Sequence, residues 1–287
     1  MTVTEALRHA AIKFKTVDID APALEAGVIL CTALNKDRSF IYSHGELELS
    51  SQQEKEFLIS INSRIEGKPL QYITGHQEFM SLDFLVSEHV LIPRQDTEIL
   101  VETVINHVKT TKLNNMLSIL DLCTGSGCIA VSLAYYIKNC RVIGVDVSEQ
   151  ALDVAHLNAV RNNVGGQTGF IKADLKSQRE IQISNKADIV VSNPPYIAES
   201  VIKQLKPEVR DYEPAIALDG GEHGLDFYKI IAGKLRRILK PGGFIALEIG
   251  YDQAESVIEI FGEVCVDLKI IKDLSGNDRV ITGFMKN

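Results

Sequence analysis

The sequence predicts an α/β protein in which a small helical region precedes a doubly wound, parallel sheet. From residue 117 onward, short apolar runs rich in β-branched residues alternate with amphipathic segments, a pattern typical of parallel strands joined by helices. Before residue 66, apolar residues recur at helical spacing instead. A chain of 287 residues is long enough for one large domain and one small one.

The N-terminal region is predicted to be a small helical domain. Its apolar residues indicate three helices, over residues 4–15, 22–34 and 50–65. Pro22 favours the first turn of the second helix, and Ser50 can cap the third. Two short alternating runs, over 77–80 and 83–86, then predict a β-hairpin. We therefore assign residues 1–75 to a helical domain, 76–95 to a hairpin linker and 96–287 to the main domain.

The main domain is predicted to begin with a helix over about 96–109, capped by Asp96 or Thr97. Five strands are then expected, over residues 117–122, 141–145, 169–173, 187–191 and 244–249. The helices between them are expected over 126–137, 148–161 and 225–239, with Ser148 capping the second. Pro241 and two glycines should end the third of these helices. A last helix over 253–261 and a hairpin over 264–271 and 279–284 complete the prediction.

Composition excludes several classes of protein. No apolar run approaches the roughly 18 to 20 residues of a membrane helix, and the first nine residues lack a signal core, so we expect a cytoplasmic protein. The net charge is −8, and residues 1–90 hold 8 Lys/Arg against 13 Asp/Glu, which argues against a clamp on duplex DNA. The five scattered cysteines and dispersed histidines indicate reduced thiols and predict no metal site.

A glycine-rich segment between the first strand and its helix predicts a ligand-binding loop. It reads Asp121-Leu122-Cys123-Thr124-Gly125-Ser126-Gly127-Cys128. The two glycines let the backbone approach a ligand closely, and the helix N-terminus favours partial negative charge there. Asp146 ends the second strand, 19 residues after Gly127, where a carboxylate can accept both hydroxyl protons of a ribose. Gly125-Ser126-Gly127-x-x-Ala130 also fits a loose dinucleotide pattern, so a nicotinamide enzyme stays open.

A second loop, Asn193-Pro194-Pro195-Tyr196, follows the fourth strand. The prolines must end the strand, and they produce a stiff loop at its carboxyl end, where open α/β sheets bind ligands. One Asn amide and one Tyr ring beside backbone carbonyls suit a planar amide or amine. Asp121, which precedes the glycine loop, is placed to meet an ammonium group. Together these features favour S-adenosylmethionine over a nicotinamide cofactor.

Further motifs span the whole chain. They are Pro69-x-Gln71-Tyr72-Ile73-x-Gly75, Leu91-Ile92-Pro93-Arg94-x-Asp96-Thr97-Glu98, Cys123 to Cys128, Val191 to Tyr196, Glu213-Pro214-x-x-Ala217-Leu218 and Asp278-Arg279-Val280. In order and spacing they resemble the HemK/PrmC family, within the class I (Rossmann-like) methyltransferases that methylate planar nitrogens. The resemblance implies a protein-(glutamine-N5) methyltransferase that uses S-adenosylmethionine. The implied acceptor is the Gly-Gly-Gln glutamine of peptide-chain release factors, whose methylation modulates translation termination.

The resemblance also implies roles for individual residues. The catalytic residues are expected to be Asn193, Pro194, Pro195 and Tyr196. The cofactor-binding residues are expected to be Asp121, Cys123, Thr124, Gly125, Ser126, Gly127, Asp146, Asp174, Leu175 and Asn193. Cys123 stands where the family more often has Gly, so its side chain is expected to narrow the methionine pocket, and Gln95 stands where Pro is usual. The N-terminal domain is expected to dock the release factor.

Three other functions stay open. A methyltransferase acting on DNA or rRNA bases shares the strand-four loop, but it predicts a basic region that residues 1–90 lack. A non-catalytic protein that only binds the cofactor is disfavoured by the intact loop, and a nicotinamide dehydrogenase rests on the weak glycine pattern alone. A self-substrate at Gly165-Gly166-Gln167 is rejected, because Gly-Gly turns before a strand are common.

Overall fold

The computed structural model describes residues 1–17, 19–111, 116–179 and 181–287. The chain forms two compact units. The helical unit comprises Met1–His76 together with Lys206–Tyr212, and the α/β unit comprises Gln77–Leu205 together with Glu213–Asn287. Each unit buries apolar clusters of its own. The hairpin expected as a linker therefore lies within the α/β unit, and a short segment from the second half of the chain returns to the helical one.

The N-terminal helices of the helical unit are α1 Val3–Lys15, α2 Pro22–Leu34, α3 Arg38–Ser43, α4 Ser51–Ile65 and α5 Leu70–Thr74. The three predicted helices are confirmed to within one residue. Thr2 and Ser50 cap α1 and α4 through reciprocal hydrogen bonds with Glu5 and Gln53, which fixes where these helices begin. Because α3 and α5 span only six and five residues, they show too little periodicity to be predicted.

The returning segment Lys206–Tyr212 is held to the end of α4. Arg64 lies there, and its guanidinium pairs with Glu25 at 2.6 Å and with Glu208 at 3.3 Å. The Tyr212 hydroxyl donates to the Glu66 carbonyl at 2.9 Å. The Arg64 side chain is largely buried, so these bonds satisfy a cation that would be costly to leave unpaired.

The α/β unit contains a two-stranded sheet and a seven-stranded sheet within the described residues. The small sheet pairs β1 His76–Phe79 with β2 Leu82–Leu85. The large one consists of β3 Leu117–Leu122, β4 Cys140–Asp146, β5 Thr168–Lys172, β6 Ala187–Ser192, β7 Leu239–Glu248, β8 Cys265–Lys272 and β9 Asp278–Met285. Its order is β5-β4-β3-β6-β7-β9-β8, in which β9 runs antiparallel to both β7 and β8 and the other pairs are parallel. The chain reverses its winding between β3 and β6, where such sheets open a crevice.

The described helices that follow the hairpin in the chain are α6 Gln95–Thr111, α7 Cys128–Tyr136, α8 Glu149–Arg161, α9 Glu199–Ile202, α10 Pro207–Arg210, α11 Ala215–Leu218, α12 Asp226–Ile238 and α13 Ala254–Gly262. Ser148 caps α8 as predicted, by accepting from the Ala151 N–H. The four-residue helices α9 to α11 were not predicted, because one turn of helix has no period to detect. No helix in the described ranges is both long and apolar enough to cross a membrane.

Three sequence predictions of element boundaries are wrong. Asp96 and Thr97 do not cap α6, because the helix already begins at Gln95 and both residues lie in its first turn. Ser126 does not begin α7; Gly127, at φ 77°, precedes the first helical residue. Strand β7 begins at Leu239 rather than at 244, because Leu239 pairs with Ala187 before the chain bulges through the proline and glycines.

Asn158, which is fully buried in α8, links the hairpin to the glycine loop. Its Nδ2 donates to the Leu85 carbonyl at 3.0 Å and to the Ser126 carbonyl at 2.9 Å, while its Oδ1 accepts from the Leu85 N–H at 2.7 Å. One amide thereby satisfies three buried backbone groups in two separate loops. The glycine loop is thus fixed in place from behind, on the side that faces the core.

Candidate active site

A cavity of about 260 Å³ opens at the carboxyl ends of the central parallel strands. The predicted site residues that line it are Cys123, Gly125, Asp146, Asp174, Leu175, Asn193 and Pro195. These residues follow four different strands, and the sheet alone brings them together. The other predicted site residues, Asp121, Thr124, Ser126, Gly127, Pro194 and Tyr196, are not part of its lining.

Gly125 and Gly127 of the glycine loop are each required for a different structural reason. Gly125 has a φ of 53°, and a Cβ built on it would meet nothing within 4 Å, so its backbone faces open space in the cavity wall. Gly127 has a φ of 77°, and a Cβ there would lie 2.8 Å from the Ala155 Cβ. Gly125 therefore permits a ligand to approach the backbone, whereas Gly127 permits the loop to pack against α8.

Asp146 holds its carboxylate rigidly at the edge of the cavity. Oδ2 accepts from the Gly125 N–H at 2.9 Å, and Oδ1 accepts from the Ser148 N–H at 3.0 Å. Each carboxylate oxygen has a second lone pair, so both can accept a further hydroxyl proton. The cavity thus combines two fixed acceptor oxygens, an open glycine backbone and an apolar wall that includes Leu175 and Phe227. This combination fits an adenosine group.

Asp121 lies beneath the loop in β3 and is fully buried. It accepts a hydrogen bond from the Thr124 hydroxyl at 2.5 Å through Oδ2. Its Oδ1 is buried without a close hydrogen-bond partner among the described residues. Burial raises the pKa of Asp121 to about 7, against the opposing effect of the Thr124 hydrogen bond. Asp121 lies behind the cavity lining, and its hydrogen bond with Thr124 holds the glycine loop from the interior side.

Cys123 adopts a left-handed backbone conformation, with a φ of 59°, and its side chain lines the cavity. For a residue with a Cβ this conformation costs roughly 1–2 kcal/mol, which explains why a glycine would be easier to accommodate. Burial, reinforced by Asp146 and Asp121, raises the pKa of the Cys123 thiol well above its ordinary value. The thiol is therefore neutral and serves as a wall rather than as a nucleophile.

The strand-four loop, Asn193–Tyr196, follows β6 in the structure and is anchored at three points. Asn193 Nδ2 donates to the Thr97 hydroxyl oxygen at 3.2 Å, and the Tyr196 hydroxyl donates to Glu248 Oε1 at 3.3 Å. Gln253 Nε2 donates to the Tyr196 carbonyl at 2.9 Å. Asn193 Oδ1 has no hydrogen-bond partner in the part of the chain that the structure describes. The loop therefore presents a free amide oxygen at the cavity from a backbone held on both sides.

Glu248, which ends β7, is a site residue that the sequence reasoning missed. Only 2% of it is exposed, and burial raises the pKa of its carboxyl to about 7, although Thr97, Arg279 and Tyr196 favour the charged form. Arg279 in turn pairs with Asp273 at 3.0 Å and with Asp96 at 3.2 Å. A polar residue directly after the apolar run of a parallel strand, beside the strand that carries Asn193, is the signal that could have revealed it.

The other charged motif residues brace loops. Arg94 pairs with the buried Glu213, and Glu98 Oε1 accepts from the Met80 N–H at 2.6 Å at the turn of the hairpin.

The chain's own Gly-Gly-Gln sequence lies in the turn before β5. The Gln167 N–H donates to the Val164 carbonyl at 2.9 Å, and its carbonyl accepts from the Val142 N–H at 2.9 Å. Its side-chain oxygen is buried. A glutamine held in this way is not accessible as a substrate, which agrees with the rejection of a self-substrate from the sequence.

The raised pKa of Glu248 predicts a pH dependence of stability. In the unfolded chain this carboxyl has its ordinary pKa of 4.5, and in the folded protein the value is about 7, so the folded state binds the proton more tightly. The free energy of unfolding should therefore fall as the pH rises from about 4.5 through 7. Glu248→Gln should remove up to roughly 3 kcal/mol of this fall, measured by urea unfolding at pH 5 and pH 8. Glu259→Gln, an exposed change of the same kind, is the control. An equal pH dependence in Glu248→Gln and the wild type would contradict the assignment.

Comparison with known proteins extends over the whole chain. Residues 5–75 match the family model described as PrmC N-terminal domain, and residues 95–207 match the one described as Methyltransferase small domain. A release factor glutamine methyltransferase from Clostridium acetobutylicum is 42% identical over 282 residues, covering 98% of each chain. One of the same name from Koribacter versatilis is 39% identical over 283 residues, covering 99% of this chain and 98% of the relative.

Among solved structures, a methyltransferase from Pyrococcus furiosus matches with a TM-score of 0.51 at 20% identity, covering 83% of this chain and 100% of that one. This likeness shows a shared fold, and it confirms the predicted class I methyltransferase sheet. Full-length identity of about 40% shows more than a fold. The chain belongs to the release factor glutamine methyltransferase family, and its methyl donor is S-adenosylmethionine.

Proposed function

We propose that this protein methylates the side-chain amide nitrogen, N5, of the glutamine in the Gly-Gly-Gln motif of peptide-chain release factors, and so modulates translation termination. The observation that carries the proposal is the free Oδ1 of Asn193 at the cavity wall, on a loop anchored through Thr97 and Glu248. An amide oxygen in that position is matched to an amide N–H of a substrate. The names of the two relatives supply the protein that brings this glutamine.

Cofactor binding is assigned to the residues around the cavity. When bound, S-adenosylmethionine supplies an electrophilic methyl group on its sulfonium. Asp146 accepts the ribose hydroxyls, and Leu175, which follows Asp174, gives apolar contact to the adenine. We assign the methionine part to the glycine loop, where Cys123 and Gly125 line the cavity together with Asn193 and are backed by Asp121, Thr124, Ser126 and Gly127.

The strand-four loop activates the glutamine by orienting it. An amide nitrogen is a poor nucleophile because its lone pair is delocalised, as the rotation barrier of roughly 18–20 kcal/mol in peptide bonds shows. Asn193 Oδ1 and the Pro194 carbonyl accept the two N–H bonds of the substrate amide, which turns the nitrogen lone pair toward the methyl group. Pro195 keeps the loop stiff. Orientation of this kind can supply about 7–11 kcal/mol in favourable cases.

Tyr196 contributes its ring rather than an acidic group. Burial, reinforced by Glu248, raises the pKa of its hydroxyl well above the ordinary value, so the phenol stays neutral. The ring packs beside the flat amide of the substrate glutamine. Its attraction for the positive charge of the sulfonium is on the order of 1 kcal/mol. The extra proton leaves the nitrogen only after methyl transfer, when the nitrogen has become acidic.

We also infer that residues 1–75 dock the release factor, that residues 76–95 link the domains and that residues 96–287 carry the methyltransferase. The acidity of residues 1–90 supports docking, because it complements basic patches on a partner. Glu54 of the helical unit is not available for docking, since it pairs with the Met1 amino group at 2.6 Å. Glu46, Glu48 and Glu56 are exposed and remain candidates. Because release factors act on ribosomes, the protein should work in the cytoplasm, without direct contact to nucleic acid.

The function is tested by methyl transfer from labelled S-adenosylmethionine to an intact release factor. The control is the same factor with its motif glutamine replaced by alanine. We expect label on the unmodified factor only. Label on both factors, or on neither while rRNA or DNA becomes labelled, would contradict the proposed acceptor.

The role of Asn193 is tested by Asn193→Asp. The variant should fold, since the side chains are nearly isosteric, but kcat should fall by roughly 100-fold, because a carboxylate cannot donate to Thr97 and loses the hydrogen bond that fixes the side chain beside the substrate. Asn106→Asp, an exposed change on α6, serves as the control and should keep wild-type turnover. Turnover of Asn193→Asp near the wild-type value would overturn the mechanism.

The docking surface is tested by changing Glu46, Glu48 and Glu56 together to Gln. The KM for the intact release factor should rise by roughly 3- to 10-fold, because long-range attraction is lost, while the KM for a short Gly-Gly-Gln peptide should stay unchanged. The control changes three exposed carboxylates of the α/β unit, Glu255, Glu259 and Glu263, to Gln, which alters the net charge equally. Equal effects of the two triple variants would refute a specific docking surface.

A further inference from the structure

The acceptor role of Asn193 requires its side chain to point the correct way round. The oxygen and the NH₂ group of an asparagine are almost the same size, and a half-turn about the last bond exchanges them. Only the oxygen can accept an N–H from a substrate amide. Some group in the protein must therefore hold the NH₂ end away from the cavity.

Thr97 contacts that end of the amide. It lies in the first turn of α6 with only 2% of its surface exposed, and its hydroxyl oxygen accepts from Asn193 Nδ2 at 3.2 Å. A hydroxyl has one proton and two lone pairs. If its proton is committed to another group, only lone pairs face Asn193, and they select the NH₂ end.

Glu248 is the acceptor that commits the proton. β7 pairs with β6 through Ser192 and Leu247, so Glu248 and Asn193 each follow a paired residue at the same edge of the sheet. Glu248 Oε1 accepts from Tyr196, whereas Oε2 is buried without a close partner among the described residues. Thr97 is one of the groups that favour the charged carboxylate, which counteracts the increase in pKa due to burial. The Thr97 hydroxyl therefore offers the hydrogen-bond donor that Glu248 Oε2 lacks.

We propose that Thr97 is a positioning residue, which donates its hydroxyl proton to Glu248 and accepts from Asn193 Nδ2, and thereby holds Asn193 Oδ1 toward the substrate amide. The inference rests on the proposed function, because it explains how the acceptor oxygen of that mechanism is kept in place. Neither Thr97 nor Glu248 lines the cavity, so both act through Asn193 and Tyr196.

The charges around this network support the direction of its hydrogen bonds. Arg279 is largely buried and favours the ionised form of Glu248, while Asp96 opposes it. Asp273 pairs with the same guanidinium and holds it beside the network. Above pH 7, where Glu248 is ionised, its carboxylate can only accept, which leaves Thr97 as the donor in that pair.

The decisive variants are Thr97→Val and Thr97→Ser. Valine has the shape of threonine without the hydroxyl, and serine keeps the hydroxyl without the methyl group. If Thr97 only fills space in the core, Thr97→Val should keep a higher kcat than Thr97→Ser. If Thr97 orients Asn193, Thr97→Ser should keep a higher kcat than Thr97→Val.

We expect Thr97→Val to lower kcat on a Gly-Gly-Gln peptide by roughly 30- to 100-fold, because the acceptor loses its fixed orientation. The Kd for S-adenosylmethionine, measured by calorimetry, should stay within about twofold in both variants, because Thr97 lies outside the cavity. Thr97→Ser should keep kcat within roughly threefold of the wild type. The inference is overturned if Thr97→Val keeps wild-type kcat, or if Thr97→Ser loses as much kcat as Thr97→Val.

A second readout needs no methyl acceptor. The side-chain amide of Asn193 can be observed in ¹⁵N-labelled protein and assigned by its absence in Asn193→Asp. Its hydrogen-bonded proton should be protected from solvent exchange in the wild type and in Thr97→Ser, and should lose that protection in Thr97→Val. Equal exchange in all three proteins would overturn the inference. Failure of the release-factor assay with this protection intact would instead reject the proposed acceptor and leave the positioning role standing.

Discussion

Glu248 carries a carboxyl group into the interior of the α/β unit, and the geometry of the strand-four loop depends on how that group is satisfied. Leaving a buried carboxylate without partners is costly, so the surrounding groups must supply donors or positive charge. Tyr196 supplies a hydroxyl, Arg279 supplies charge, and Thr97 lies beside both the carboxylate and Asn193. The interior side of the loop is thereby fixed by the same interactions that reduce the cost of burying the acid.

The glycine loop on the neighbouring strand is fixed from its interior side in a comparable way. Asn158 binds the Ser126 carbonyl and both backbone groups of Leu85, and Gly127 allows contact with Ala155. Gly125 lines the cavity beside the Asp146 carboxylate, which accepts its N–H and has lone pairs left for a ligand. Both loops therefore combine a rigid interior contact with a small number of polar groups exposed to the ligand, which limits the reorganisation needed on binding.

The sequence predicted the central strands of the large sheet well, because β3 and β6 are largely apolar runs with a turn signal at the end. β3 was predicted at its observed bounds, and the glycine and proline motifs marked the loops that form the cavity. Thr97 was misread as a helix cap, since a Thr before an apolar helical stripe gives the same local signal whether it caps or lies inside the first turn. Its contact with Asn193 joins residues 96 positions apart, and no local pattern contains such a contact. Glu248 gave a local signal, as a polar residue at the end of a parallel strand, but its contacts with Tyr196 and Thr97 are also distant in the sequence.

The groups around Asn193 also restrict the chemistry that the site can perform. The pKa values of the Tyr196 hydroxyl and the Cys123 thiol are raised by burial, so both are neutral near pH 7. Asp146 is a carboxylate, but both its oxygens already accept backbone N–H bonds, and it lies where the ribose is assigned. A reaction that began by removing a proton from an amide would need a far stronger base than any of these. Hydrogen-bond acceptors fixed in place can instead align a neutral amide, which loses its proton only after the new bond has formed, and the role proposed for the Asn193–Tyr196 loop requires no base.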